Sequence, residues 1–113
     1  MSVTLMALFR RPEGGDEALE TFRARYYAEH LPLMARVPGL RGMTANRASA
    51  AYGQTDLVIV TEMLFDDRAA LDAAMVSDEM RAAGRNLREI APGGMLTLLT
   101  LEPDAGPGTG PAA

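Results

Sequence analysis

Apolar residues recur through the first third of the chain at Leu19, Phe22, Tyr26, Leu33 and Val37, with His30 in the same series, at spacings of three, four, four, three and four. That rhythm is one stripe of a 3.6-residue repeat, so the spacing predicts a helix from Asp16 to about Arg36 that turns this stripe inward. Asp16 is the expected N-cap, and Glu17 and Glu20 lie where the helix dipole favours negative charge. Pro32 lacks a donor and crowds the carbonyl of Ala28, which predicts a kink or a loosened turn around His30. Pro38 and Gly39 end the helix.

Before this helix, V-T-L-M-A-L-F at 3–9 is apolar with little clean alternation, as in a strand covered on both faces. After it, Leu40 to Ala48 alternates, with Arg41, Met43, Ala45 and Arg47 on one face, and reads as a second strand. Ser49 to Thr55 is a connection. D-L-V-I-V-T-E-M-L-F at 56–65 is rich in β-branched residues and is the clearest strand. Asp66 is the expected cap of a second helical region carrying Leu71 and Met75; Ser77 restarts or continues it, with Met80, Leu87 and Ile90 inward and Arg81, Arg85 and Arg88 outward. A-P-G-G at 91–94 ends it, and M-L-T-L-L-T-L-E at 95–102 is the last strand.

The order β-α-β-β-α-β is the ferredoxin-like plan, an α+β fold with a four-stranded antiparallel sheet and both helices on one face. Residues 1–102 form this single domain. Residues 103–113, nearly all proline, glycine and alanine, have little to bury and read as a disordered tail. Strands apolar on both faces, with helices enough for one, leave a hydrophobic sheet face open. A second copy is the simplest cover, so the pattern predicts a homodimer whose sheets pack face to face into an α+β barrel.

Composition narrows the chemistry. The chain has no cysteine and one histidine, and its eleven basic residues are all arginine, which removes thiolate and lysine Schiff-base catalysis and cysteine-ligated metals. A net charge of −4 with scattered arginines gives no footprint for nucleic acid. No apolar run reaches the roughly 20 residues of a membrane helix. The start carries its arginines after its apolar run, unlike a secretory leader, so the expected address is cytoplasmic. There is no P-loop, other glycine-rich phosphate loop or G-x-S-x-G elbow. One histidine without a matching acidic pair offers no metal site, although one axial histidine would suffice for haem.

Two readings stand for each polar candidate. His30 has an ordinary pKa suited to proton transfer near neutrality, or is a partly buried histidine bonded to a backbone carbonyl freed by Pro32. Tyr26, one turn away, orients a substrate oxygen or pairs with His30, or is core with a polar tip. Phe22 reads first as packing, and Tyr27 lies off the stripe, where it could reach a dimer or helix partner. Glu62 shares a strand face with Val58, Val60 and Leu64; it is a buried proton carrier or, the favoured reading, the partner of Arg41 or Arg47. Asn46 is a pocket polar group or an ordinary strand-end residue. The eight methionines fall mostly at inward positions, where they suit core or pocket lining.

Y-Y-A-E-H-L-P-L at 26–33 followed by V-P-G-L at 37–40 resembles the Y-Y-x-x-H-x-P-L…P-G-L signature of the EthD family, in the dimeric α+β barrel superfamily. The similarity extends over residues 2–102 and includes Leu64-Phe65-Asp66 and the 91–94 turn. The resemblance implies the fold, a homodimer and a neighbourhood of activities. The family's founding member is associated with bacterial degradation of ethyl tert-butyl ether, and related barrels include muconolactone isomerases, cofactor-free monooxygenases, polyketide cyclases and haem-binding or haem-degrading enzymes. Their ligands generally sit between sheet and helices. Carried onto this chain, that places His30 and Tyr26 at a pocket, where they are the candidate catalytic residues. From the reading of the residues themselves, Phe22, Leu33, Asn46 and Glu62 are the candidate substrate contacts.

Three functions follow as expectations. One is a cofactor-free enzyme acting on a hydrophobic or aromatic carbonyl-bearing metabolite, by monooxygenation, isomerisation or cyclisation, with His30 as acid or base. The second is a non-catalytic binding or accessory protein of a degradation pathway. The third is a haem-binding barrel with His30 as axial ligand.

Overall fold

The structure, a computed structural model, describes residues 2–104. Its elements are β1 (Val3–Arg10), α1 (Gly15–Arg25), a π-helical turn (Tyr26–His30), α2 (Leu31–Met34), β2 (Gly42–Arg47), β3 (Leu57–Phe65), α3 (Arg68–Met75), α4 (Asp78–Ile90) and β4 (Leu96–Leu101). The strands form one antiparallel sheet in the order β2-β3-β1-β4, which is the ferredoxin-like arrangement. The expected tail lies, from residue 105 onward, outside the described residues.

Strand β1 is central and alternates strictly. Val3, Leu5, Ala7 and Phe9 are buried, whereas Thr4, Met6, Leu8 and Arg10 on the other face are only half-covered. The same division runs across β3, where Ile59, Thr61, Met63 and Phe65 are buried under the helices and Glu62 and Leu64 face outward. Ladder partners point to the same face. Ala7 stands opposite Thr61 and Leu98, and Met6 opposite Glu62 and Leu99, so the inner and outer faces are fixed by register. The core is built on the inner face, where Phe9, Ile59, Phe65, Ala74 and Ala83 are fully buried.

The first helical segment is not one α-helix to Arg36. It is α-helical to Arg25, widens for one turn, and resumes as the short α2. The Leu31 amide donates to the Tyr26 carbonyl, five residues back. This wide turn sits just before Pro32, whose ring would crowd the carbonyl four residues earlier in a regular helix. The inserted residue changes which side chain continues the stripe. Phe22, Tyr26, His30 and Met34 are buried, whereas Leu33 is only partly so. Leu33 therefore gives way to Met34.

Two helix caps also differ from the sequence reading. Gly14, with φ of 108°, caps α1 without a side-chain bond, and Asp16 sits in the first turn paired with Arg11 at 3.1 Å. A Cβ at Gly14 would lie 2.9 Å from that of Ala18, so glycine suits the position on space as well as on φ. At α3 the cap is Asp67, whose carboxylate accepts from the Ala70 amide at 2.8 Å. Asp66 instead holds Arg41 at 2.8 Å. The second helical region splits at Ser77, whose hydroxyl caps α4 by accepting from the Met80 amide at 3.1 Å.

These assignments separate two neighbouring aspartates. Asp67→Ala should cost about 1 kcal/mol through the lost cap, whereas Asp66→Ala, at an exposed ion pair, should leave the urea midpoint nearly unchanged. Equal shifts in the two denaturation curves would contradict the assignment.

Candidate functional site

Between the inner sheet face and the helices lies a cavity of about 380 Å³. Leu5, Ala7, Phe9, Met63, Leu96 and Leu98 form its floor, and Tyr26, His30 and Met34 one wall; Met75 of α3 and Met80, Ala83, Gly84 and Leu87 of α4 close the other side. Five of the chain's eight methionines, Met34, Met63, Met75, Met80 and Met95, line it. Unbranched, polarisable thioethers fill irregular apolar space, and Met34, Met63 and Met95 are at the same time part of the buried core.

His30 is the cavity's titratable neutral-range group and is only 5% exposed. Its ring stacks on Tyr26, with centroids 5.3 Å apart and planes 26° from parallel. Its Nδ1 lies 3.3 Å from Oδ1 of Asn86 on α4. The Asn86 amide Nδ2 donates to Glu29 Oε1 at 2.9 Å, and Arg25 grips both Glu29 oxygens, at 2.8 and 3.0 Å. Burial lowers the His30 pKa below its ordinary 6.5, opposed by hydrogen bonds to Asn86 and to the Ala83 backbone. At neutral pH the ring is therefore uncharged and able to accept a proton.

Tyr26 is placed beside His30, yet its hydroxyl is engaged. It shares a 2.5 Å hydrogen bond with the Thr61 hydroxyl, deep under the helices. Desolvation pushes its pKa up to about 12, so it stays protonated and acts as a neutral hydroxyl. Its ring also meets Phe9 edge-on at 4.9 Å and Phe22 at 5.5 Å. Tyr26 thus ties the stripe to the sheet and presents a ring to the cavity.

The remaining candidates are dispersed. Phe22 packs on Phe9 and Tyr26 away from His30 and lines a second, wider recess of about 810 Å³ beside Arg10, Arg11, Glu17 and Asp56. Asn46 and Glu62 stand on the outer sheet face, away from the cavity, and Leu33 is absent from its lining. Glu62 is exposed on the outer face, Arg41 is taken by Asp66, and Arg47 stands opposite Ile59 on the other face, so neither the buried carrier nor a pair with either arginine describes it. Tyr27, 40% exposed, meets Tyr26 edge-on at 5.6 Å. Among the described residues, no group of three or more His, Cys, Asp and Glu is placed to hold a metal ion.

Asn86 is the residue that sequence reading passed over. It falls three positions after Ala83 and four before Ile90, on the buried stripe of α4, where an amide among apolar neighbours is itself a signal.

A four-stranded antiparallel sheet in the order β2-β3-β1-β4, with its helices on one face, defines the class as an α+β ferredoxin-like fold. The EthD domain model matches residues 15–91, and the chain belongs to the EthD family. An EthD family protein from Bacillus halodurans is 35% identical, over 90% of this chain and 98% of its own, with a TM-score of 0.80. A dimeric ferredoxin-like protein from Jannaschia sp. is 22% identical over 90% of this chain and 99% of its own, with a TM-score of 0.67. A hydroxynitrile lyase from Passiflora edulis shares the fold at 10% identity, over 88% and 91%, with a TM-score of 0.63. No curated protein matches the sequence. No helix among the described residues is long and apolar enough to cross a membrane.

The Tyr26–Thr61 bond is testable by itself. Thr61→Val keeps the side-chain volume and strands the buried tyrosine hydroxyl, which should cost about 1–3 kcal/mol in urea denaturation. An unchanged midpoint would show that the hydroxyl finds another partner.

Proposed function

We propose that this EthD family member is a homodimeric, cofactor-free enzyme that moves a proton on a hydrophobic or aromatic, carbonyl-bearing metabolite, with His30 as the acid/base. The observation that carries this reading is a histidine buried in the wall of a largely apolar, methionine-lined cavity, where desolvation lowers its pKa. A guest there is surrounded mainly by apolar side chains, with His30, Tyr26 and Arg88 as the polar members of the lining. Among these three only His30 takes up a proton near neutrality, so a polar group of the guest finds its base there. Isomerisation and cyclisation both begin with such a transfer, and so does oxygenation of an activated phenol. The adaptable lining equally supports a second reading, in which the protein binds and delivers the same class of compound without turnover.

Benzoylacetone, an apolar aromatic diketone, separates the two. The protein should accelerate its keto–enol interconversion, followed by ultraviolet absorption, and His30→Ala should lose about 100-fold or more of that acceleration. Only uncharged His30 can take a proton, so the rate should rise with pH through a midpoint below 6.5 and then level off. Binding without acceleration in the wild type would favour the carrier.

The outer sheet face supports the homodimer. Met6, Leu8, Val60, Leu64, Leu99 and Leu101 lie there uncovered or half-covered, and Leu64, Leu99 and Leu101 are 40–44% exposed in the protomer. Several solved structures of this fold are described as dimeric. Sedimentation at micromolar concentration should give a dimer, and Leu99→Arg, which puts a charge on that face beside Met6, should give a monomer. A monomeric wild type would contradict the assembly.

A further inference from the structure

We propose that Asn86, oriented by Glu29 and Arg25, is a positioning residue that fixes His30 as the Nδ1–H tautomer and leaves Nε2 as its proton-accepting atom. The inference rests on the proton-transfer reading of the cavity and deepens it, because it names the atom and the direction of the first step.

A side-chain amide can face a histidine with either its oxygen or its nitrogen, and the choice decides the tautomer. Here a third residue makes the choice. Glu29 is ionised, since its salt bridge with Arg25 holds its carboxyl below the usual range, and a carboxylate only accepts. Asn86 must therefore turn Nδ2 toward Glu29, at 2.9 Å, and Oδ1 toward His30, at 3.3 Å. An amide oxygen cannot donate, so the ring nitrogen facing it carries the hydrogen. A neutral imidazole has one N–H, and the other nitrogen keeps its lone pair.

The arrangement also has a direction in space. His30 lines the cavity, whereas Asn86, Glu29 and Arg25 do not, so the Nδ1 edge is the one turned toward the relay. The same logic of an outer partner selecting a ring tautomer operates at metal-bound histidines. The Ala83 carbonyl is the competing acceptor for the single ring proton. A base whose free atom is Nε2 begins by removing a proton, so the substrates it fits are carbon acids next to a carbonyl or phenolic oxygen acids. The proton passes from that C–H or O–H to Nε2, and its electron pair stays on the enolate or phenolate.

The chain's only histidine makes the tautomer directly readable. In ¹⁵N-histidine-labelled full-length protein at pH 7.5, long-range ¹H–¹⁵N correlation should show a pyrrole-type Nδ1 and a pyridine-type Nε2. Glu29→Ala, which touches neither ring nor cavity, frees the amide to turn, and Asn86→Leu removes it. Both should move the two nitrogen shifts toward the mixed or Nε2–H pattern. A pyridine-type Nδ1 in the wild type, or Nδ1–H retained in both variants, would overturn the proposal. An Nδ1–H ring in a protein that fails to accelerate benzoylacetone enolisation would uphold the tautomer and count against the catalytic reading alone.

Discussion

The site depends on a single inserted residue in the helix that carries it. Four-residue steps on a regular α-helix drift by about 40° each, so positions 22, 26, 30 and 34 would fan across about 120°. The π turn at Tyr26–His30 absorbs that drift, and all four side chains are buried under the same helix–sheet layer. Tyr26 then reaches Thr61 on the sheet, His30 stacks on Tyr26, and Met34 lines the cavity. Such one-residue expansions interrupt the regular helical ladder and recur at functional sites. Pro32, which cannot supply the donor of a regular ladder, marks the place where the interruption falls.

The sheet supplies the complementary half. Its strand order puts β1 and β3 in the centre, and their alternation gives one face to the helices and the other to the outside. The inner face is filled by aromatic and aliphatic side chains beneath α1, α3 and α4, leaving a methionine-lined space beside His30. Burial there does two things together. It leaves an apolar space between sheet and helices, and it removes the solvation that would favour charged imidazolium. Cavity and lowered histidine pKa are thus products of the same desolvation, and the Arg25–Glu29–Asn86 chain sits outside the cavity, where its ion pair stays partly solvated.

The element order, the sheet's antiparallel plan and the inward turn of Tyr26 and His30 were legible because alternation and helical spacing report burial directly. The rest needed three dimensions. Leu33 and Met34 cannot be ranked by a 3.6 period once a wide turn intervenes. Asp66 was read as the cap where the adjacent Asp67 fills that role, because only the fold brings Arg41 across the strand end to hold Asp66. Asn46 and Glu62 were drawn toward a pocket because periodicity says which strand residues share a face but not which face the helices choose. Asn86 lay within a helix whose inward stripe was read correctly, yet its meaning comes from Glu29, 57 residues away in sequence.

The central claim is that the cavity holds His30 uncharged at neutral pH, and the histidine's own titration measures it most directly. The Cε1 proton of the only histidine can be followed by ¹H NMR from pH 8 downward in the intact protein. The account predicts a midpoint below 6.5, as burial outweighs the hydrogen bonds the ring donates to Asn86 and Ala83. A midpoint above that value would mean a charged ring stabilised by its neighbours, and would contradict a resting base facing an apolar guest.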